Sequence, residues 1–115
     1  YNCGGRHSSF QIDPYGRLSI CEISRQPSYD LRRGSFKEGW YDFLSGLREQ
    51  KVSKDTKCRH CELFSVCGQC PGWAQLENGD PEVPVDYHCQ IAKLRGKAFG
   101  PLKIFKSYRK EMNDA

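Results

Sequence analysis

This chain is short of apolar residues. Only 37% of its 115 residues are hydrophobic, and the mean hydropathy is -0.74. One domain is the natural expectation at this length, and its buried core should be thin. Long hydrophobic runs are missing too: none approaches the ~18 residues of a membrane span. Nothing resembles a secretory signal. There are no low-complexity segments, and no repeats beyond two Cys-x-x-Cys pairs. A strong charge of one sign is also lacking. Eighteen basic residues against fourteen acidic ones leave +4. That gives weak support to a polyanionic partner, and nucleic acid is not expected. No membrane partner is expected, and the expected location is the cytoplasm. The chain begins at Tyr1 rather than Met, so we read it as a fragment of something longer.

Cysteine, by contrast, is abundant. Cys3 and Cys21 stand early, Cys58, Cys61, Cys67 and Cys70 lie close together, and Cys89 follows after a gap. Seven thiols exceed what packing requires and point to metal or to disulfides. Seven is odd, so a disulfide framework would leave one over. The Cys58/Cys61 and Cys67/Cys70 pairs have a spacing that lets two thiolates converge on one metal centre. Metal is therefore favoured over disulfides. Zinc and iron–sulfur clusters both take four thiolates. A zinc ribbon separates its two pairs by about fifteen to twenty residues, whereas five separate Cys61 from Cys67. The compact run resembles cluster proteins more closely, and the three outlying cysteines suggest a second site. A catalytic thiol enzyme fits poorly, because nothing singles out one activated cysteine.

Phe10-Gln11-Ile12-Asp13 and Leu18-Ser19-Ile20-Cys21 alternate apolar and polar residues. Between them stands Asp13-Pro14-Tyr15-Gly16, with turn formers in the right places. This predicts a β-hairpin carrying Cys21 at the end of its second strand. Cys3-Gly4-Gly5 precedes it as a loop that lets backbone approach a bulky cluster. Residues 22–34 read as irregular. Ser35 and Glu38 form a capping box, followed by Phe36, Trp40, Phe43, Leu44 and Leu47 at helical spacing. That stripe reads as core. Lys51 to Lys57 reads as a solvated linker, and residues 58 to about 84 as loop and short turns. Asp86 begins a helix through Tyr87, Ile91, Leu94 and Ala98, and a last helix is expected from Pro101, with Phe105, Tyr108 and Met112 on one face.

The order Cys3-x12-Gly16-x4-Cys21, gap, Cys58-x2-Cys61-x5-Cys67-x2-Cys70, gap, Cys89 resembles the SPASM domain. That is the C-terminal auxiliary-cluster domain of many radical S-adenosylmethionine enzymes. Phe10-x-Ile12-Asp13-Pro14-x-Gly16, Cys67-Gly-Gln-Cys70-Pro-Gly, Gly79-Asp80 and Tyr87-x-Cys89 add to the likeness, which runs from residue 3 to about 99. The chain departs from the family at Gly68-Gln69, where three residues are usual. The resemblance implies two 4Fe–4S clusters. Carried over by position, auxiliary cluster I would use Cys3, Cys21 and Cys70, with a fourth ligand from elsewhere. Auxiliary cluster II would use Cys58, Cys61, Cys67 and Cys89. The shorter Cys67-x2-Cys70 spacing also permits Cys58, Cys61, Cys67 and Cys70 to share one metal. Zinc or a single iron could occupy the same thiols in an isolated domain.

The fold class that follows is a small α+β domain stabilised by metal or clusters. It would have an N-terminal hairpin, one central helix, cysteine-rich loops and C-terminal helices. Residues 1–99 would form the auxiliary cluster domain and residues 100–115 a basic helical extension. The resemblance implies a missing radical S-adenosylmethionine barrel as partner and a peptide or protein as substrate. The barrel's own Cys-x3-Cys-x2-Cys motif does not occur here, so no turnover is expected from this chain alone. The domain would position substrate and relay electrons. The rival reading is a zinc-binding structural or interaction module, with nucleic acid or protein as its partner. Gly4, Gly5, Gly68 and Gly72 either donate amides to sulfur or only permit tight turns. His7, His60 and His88 neighbour cysteines and are competent ligands, but such residues more often face solvent or make outer hydrogen bonds. Lys93, Arg95, Lys97, Lys103, Lys106, Arg109 and Lys110 form a basic stretch. It reads as a solvated helix face, or as a docking surface for an acidic peptide or the barrel.

Overall fold

In the computed structural model, which describes residues 3–99, the Asp13–Gly16 turn closes the hairpin. The Gly16 amide donates to the Asp13 carbonyl at 3.0 Å. Gly16 has φ +78°, the left-handed conformation that a three-residue hairpin loop requires at this position. The Asp13 carboxylate accepts from the Tyr15 and Arg17 amides at 2.9 and 3.0 Å, which fixes the turn from within. Strands β1 (Gln11–Ile12) and β2 (Arg17–Ser19) pair antiparallel, with Ile12 opposite Leu18. Cys21 lies two residues past the end of β2.

A third strand, β3 (Tyr29–Asp30), pairs antiparallel with β2. The sequence reading of 22–34 as irregular is corrected here. Two residues are too few to show an alternating pattern, and β3 exists because β2 offers it a free edge. The resulting sheet has the order β1-β2-β3.

The helical run after Ser35 is continuous. It consists of α1 (Phe36–Glu38), a π-helical turn (Gly39–Phe43) and α2 (Leu44–Glu49). Its predicted capping box is formed: Ser35 Oγ accepts from the Glu38 amide, and the Glu38 carboxylate accepts from the Ser35 amide. The same carboxylate accepts the Tyr29 hydroxyl at 2.8 Å, tying β3 to the helix start. That bond, aided by the Ser35 amide, holds Glu38 below its usual carboxylate range. Gly39 is where the helix meets the sheet. A Cβ there would lie 2.6 Å from Leu18 Cδ2 and 3.0 Å from Tyr29 Cδ1.

Leu18, Ile20, Leu44 and Leu47 form the core, with Cys21, Tyr29, Leu31, Trp40 and Phe43 packed around them. Each fully buried leucine or isoleucine contributes roughly 1.5–3 kcal/mol by leaving water. Phe36 departs from the expected core stripe. It is 43% exposed and joins a surface aromatic cluster with Phe10 and Trp40.

The cysteine run makes two short 3-10 turns, Lys57–His60 and Phe64–Val66. Helix α3 (Pro71–Asn78) follows directly, where loop was expected up to about Pro84. Pro71 stands at the helix start and Gly79, with φ +70°, at its end. Both are helix-boundary residues as well as loop formers, and the eight residues between them carry only a weak apolar stripe. Loop then runs to α4 (Asp86–Phe99), which begins where predicted. The 51–57 linker is exposed but tethered: Lys54 pairs with Asp80, and Ser53 Oγ donates to Glu82 at 2.6 Å. The architecture is thus a small α+β fold of one antiparallel sheet and several helices. Among the described residues no helix is long and apolar enough to cross a membrane. The helix expected from Pro101 and the 100–115 extension lie outside the described residues.

Candidate metal centre

All seven cysteines are reduced thiols. Cys58 sits in the first 3-10 turn, and Cys61 ends that turn in extended backbone. Cys67 ends the second turn in the same way, and Cys70 is the residue that caps α3. Cys89 closes the first turn of α4, its amide bonded to the Val85 carbonyl at 3.2 Å. Apart from exposed Cys3, all are half-buried. Each of the two 3-10 turns thus ends on a cysteine in extended backbone.

Electrostatics links four of the seven. Burial pushes the Cys58 thiol up, and negative charge on Cys89, Cys67 and Cys61 pushes it further, against a hydrogen bond from Thr56. Burial raises Cys67 as well, with Cys89 and Cys61 adding to it. The Gln69 backbone N–H and the Arg95 charge pull the other way. Cys58, Cys61, Cys67 and Cys89 therefore lie within electrostatic reach of one another. Cys58 and Cys67 therefore resist ionising without a cation. A bound metal reverses that, because ligand thiols lose their protons to it.

Cys3 and Cys21 lie on a separate line of contacts that reaches α3. A Cβ on Gly5 would lie 3.1 Å from Ile20 Cγ1 and 3.5 Å from Cys3 Sγ, which places Cys3 beside the residue before Cys21. The Cys21 sulfur accepts the Ser24 amide at 3.2 Å. Ser24 in turn packs on α3: a Cβ on Gly72 would sit 2.7 Å from its Cβ. Gly72 is two residues from Cys70. The loop holding Cys3 is fixed by Arg48 of α2, which donates to the Cys3 and Gly5 carbonyls at 2.8 and 2.5 Å.

Among the described residues, no group of three or more His, Cys, Asp or Glu is arranged to hold a single metal ion. Of the histidines, His60 points to Asp55 at 3.0 Å and His7 is exposed. His88 is buried, with its ring 4.9 Å from Trp73 in an edge contact. Its Nδ1 is buried without a hydrogen-bond partner among the described residues.

Several residues at these thiols were not singled out from sequence. The Ser24 amide bonds the Cys21 sulfur, Thr56 and the Gln69 amide ease the ionisation of Cys58 and Cys67, and Arg48 holds a loop through backbone oxygen. Nothing local marks them, since each acts across a turn or a tertiary contact. Gly72 serves close packing against Ser24. Comparison with family models, with curated proteins and with solved structures finds no match to this chain.

Proposed function

We propose that this chain is an auxiliary iron–sulfur domain of a radical S-adenosylmethionine enzyme that modifies a peptide or protein. The observation that carries the reading is the grouping of four of the seven thiols. Cys58, Cys61, Cys67 and Cys89 share one electrostatic neighbourhood. Cys3 and Cys21 lie on the contact line through Gly5, Ser24 and Gly72. The first set is the four-thiol group that the SPASM-like order implies, and the contact line brings the Cys21 loop to the start of α3, where Cys70 stands.

The residues fit such groups in donor chemistry, since all are thiols and most are half-buried. Four thiolates would hold one cluster, and Cys3, Cys21 and Cys70 would supply three ligands to another. When bound, such clusters accept and pass single electrons at a potential set by charge, hydrogen bonds and exposure. The chain's own contribution is to hold and tune. Ser24 and Gln69 aim backbone N–H groups at Cys21 and Cys67, and Thr56 does the same at Cys58 by its hydroxyl. The Thr56 and Gln69 groups favour the ionised sulfur at Cys58 and Cys67. The absent barrel would bind S-adenosylmethionine, and this domain would help position the peptide beside it.

The test is iron, sulfide and zinc content with a Mössbauer spectrum on protein purified without oxygen. About eight irons and eight sulfides per chain are expected for two four-iron clusters. Zinc without sulfide, persisting after anaerobic reconstitution with iron and sulfide, would sink the relay role and leave a zinc-binding interaction module.

A further inference from the structure

Helix α4 does more than deliver Cys89. It lies against the loop that carries Cys67. Arg95 donates from Nη1 to the Val66 carbonyl at 3.1 Å. The next residue, Gly96, allows the approach: a Cβ there would meet Leu63 Cδ2 at 2.8 Å. A Cβ on Gly68 would lie 3.8 Å from the Arg95 guanidinium. Arg95 thus spans the turn from Val66 to Gly68, with Cys67 between. Nearer the helix start, the Cys67 sulfur faces the His88 carbonyl at 3.9 Å. Two contacts fix how far α4 slides along the cysteine run, and Cys89 lies between them in sequence.

We propose that Arg95 is a positioning residue for the Cys58, Cys61, Cys67 and Cys89 group. It locks α4 in register with the Phe64–Val66 turn, and it holds a permanent positive charge beside Cys67. The inference rests on the reading of those thiols as cluster ligands, and it extends that reading to a residue that coordinates nothing. Two effects follow. The register brings Cys89 to the other three thiols. The guanidinium, which keeps its charge at any working pH, stabilises the more negative, reduced form of whatever the thiolates hold. Lysine would keep the charge but lose the planar donor that grips a carbonyl.

Arg95 is exposed, so its variants should fold, and far-UV circular dichroism checks that. The experiment compares the full chain with Arg95→Gln and Arg95→Lys. In the metal-free chain, hydrogen exchange at the Val66 and Cys67 amides should quicken by about 10-fold in both variants. After anaerobic reconstitution with iron and sulfide, loss of iron to a chelator should quicken in both by about 10-fold, as for other residues just outside a metal site. The midpoint potential should fall in Arg95→Gln and stay close to wild type in Arg95→Lys. Unchanged exchange in Arg95→Gln would overturn the grip. Faster exchange with an unmoved potential would overturn the charge role. A wild-type chain that takes up no iron or sulfide would defeat the cluster reading itself, while the exchange measurement would still decide the grip.

Discussion

Residues 10–50 bury Leu18, Ile20, Leu44 and Leu47 against one another, whereas the side chains buried within residues 58–99 are Ala74, Val85, Ala92 and His88. The first set fills a space between sheet and helix. The second is small, and five of the seven cysteines lie within that same stretch. Thiols are dense where apolar volume is scarce. A ligand that binds only the folded state adds its binding free energy to folding, and small cores are where that matters most. Both regions share one device. An arginine on a helix, Arg48 in the first and Arg95 in the second, holds a cysteine loop by its backbone oxygens.

Removing metal from anaerobically reconstituted protein should break this symmetry most. Residues 58–99 should lose hydrogen-exchange protection while amides around Leu18, Leu44 and Leu47 keep theirs. Loss in both regions together, or in neither, would show that the two are not stabilised differently. Next in size is Leu44→Ala, which should cost about 2–5 kcal/mol in denaturant unfolding. That loss should be the same with and without metal. Gly72→Ala sharpens the comparison where the regions meet. Its new Cβ must displace Ser24, and overpacking of this kind costs about 1–3 kcal/mol. It should also disturb the Ser24 bond to Cys21, so a variant as stable as wild type would contradict the contact. Ser35→Ala removes one side of the capping box and should cost about 1 kcal/mol, confined to the first region.

The smallest effect is acid sensitivity of the sheet edge. The Arg32 guanidinium and amide bonded to Asp30 hold its carboxyl down at about 2. A carboxyl lowered by folding contributes stability that is present above its unfolded value, near pH 4. That contribution is lost as pH falls from there toward 2. The pair is exposed, so the effect is small. Urea midpoints followed down this window should drop less steeply in Asp30→Asn than in wild type.

Much of the first region was legible from sequence because its signals are local. Asp13, Pro14 and Gly16 specify a turn, and Ser35 with Glu38 specifies a helix start. Strand β3 was not legible, because its two residues gain their conformation from an edge on β2. Helix α3 was hidden for a different reason. Pro71 and Gly79 suit loops and helix ends alike, so their meaning depended on what Gly72 packs against. Phe36 kept helical spacing yet faces the surface, because the sheet covers only part of the helix.

The cysteine order by itself determined how many thiols this chain carries and how they are spaced, because spacing is written in the backbone. The hairpin and the capped helix were likewise determined by neighbouring residues. Only the tertiary structure decided that Arg48 and Arg95 hold cysteine loops, that Ser24 and Gln69 face sulfur, and that Gly39 and Gly72 sit at close approaches. These are contacts between distant segments or across turns, and a residue's type does not state which carbonyl or thiol the fold will bring to it.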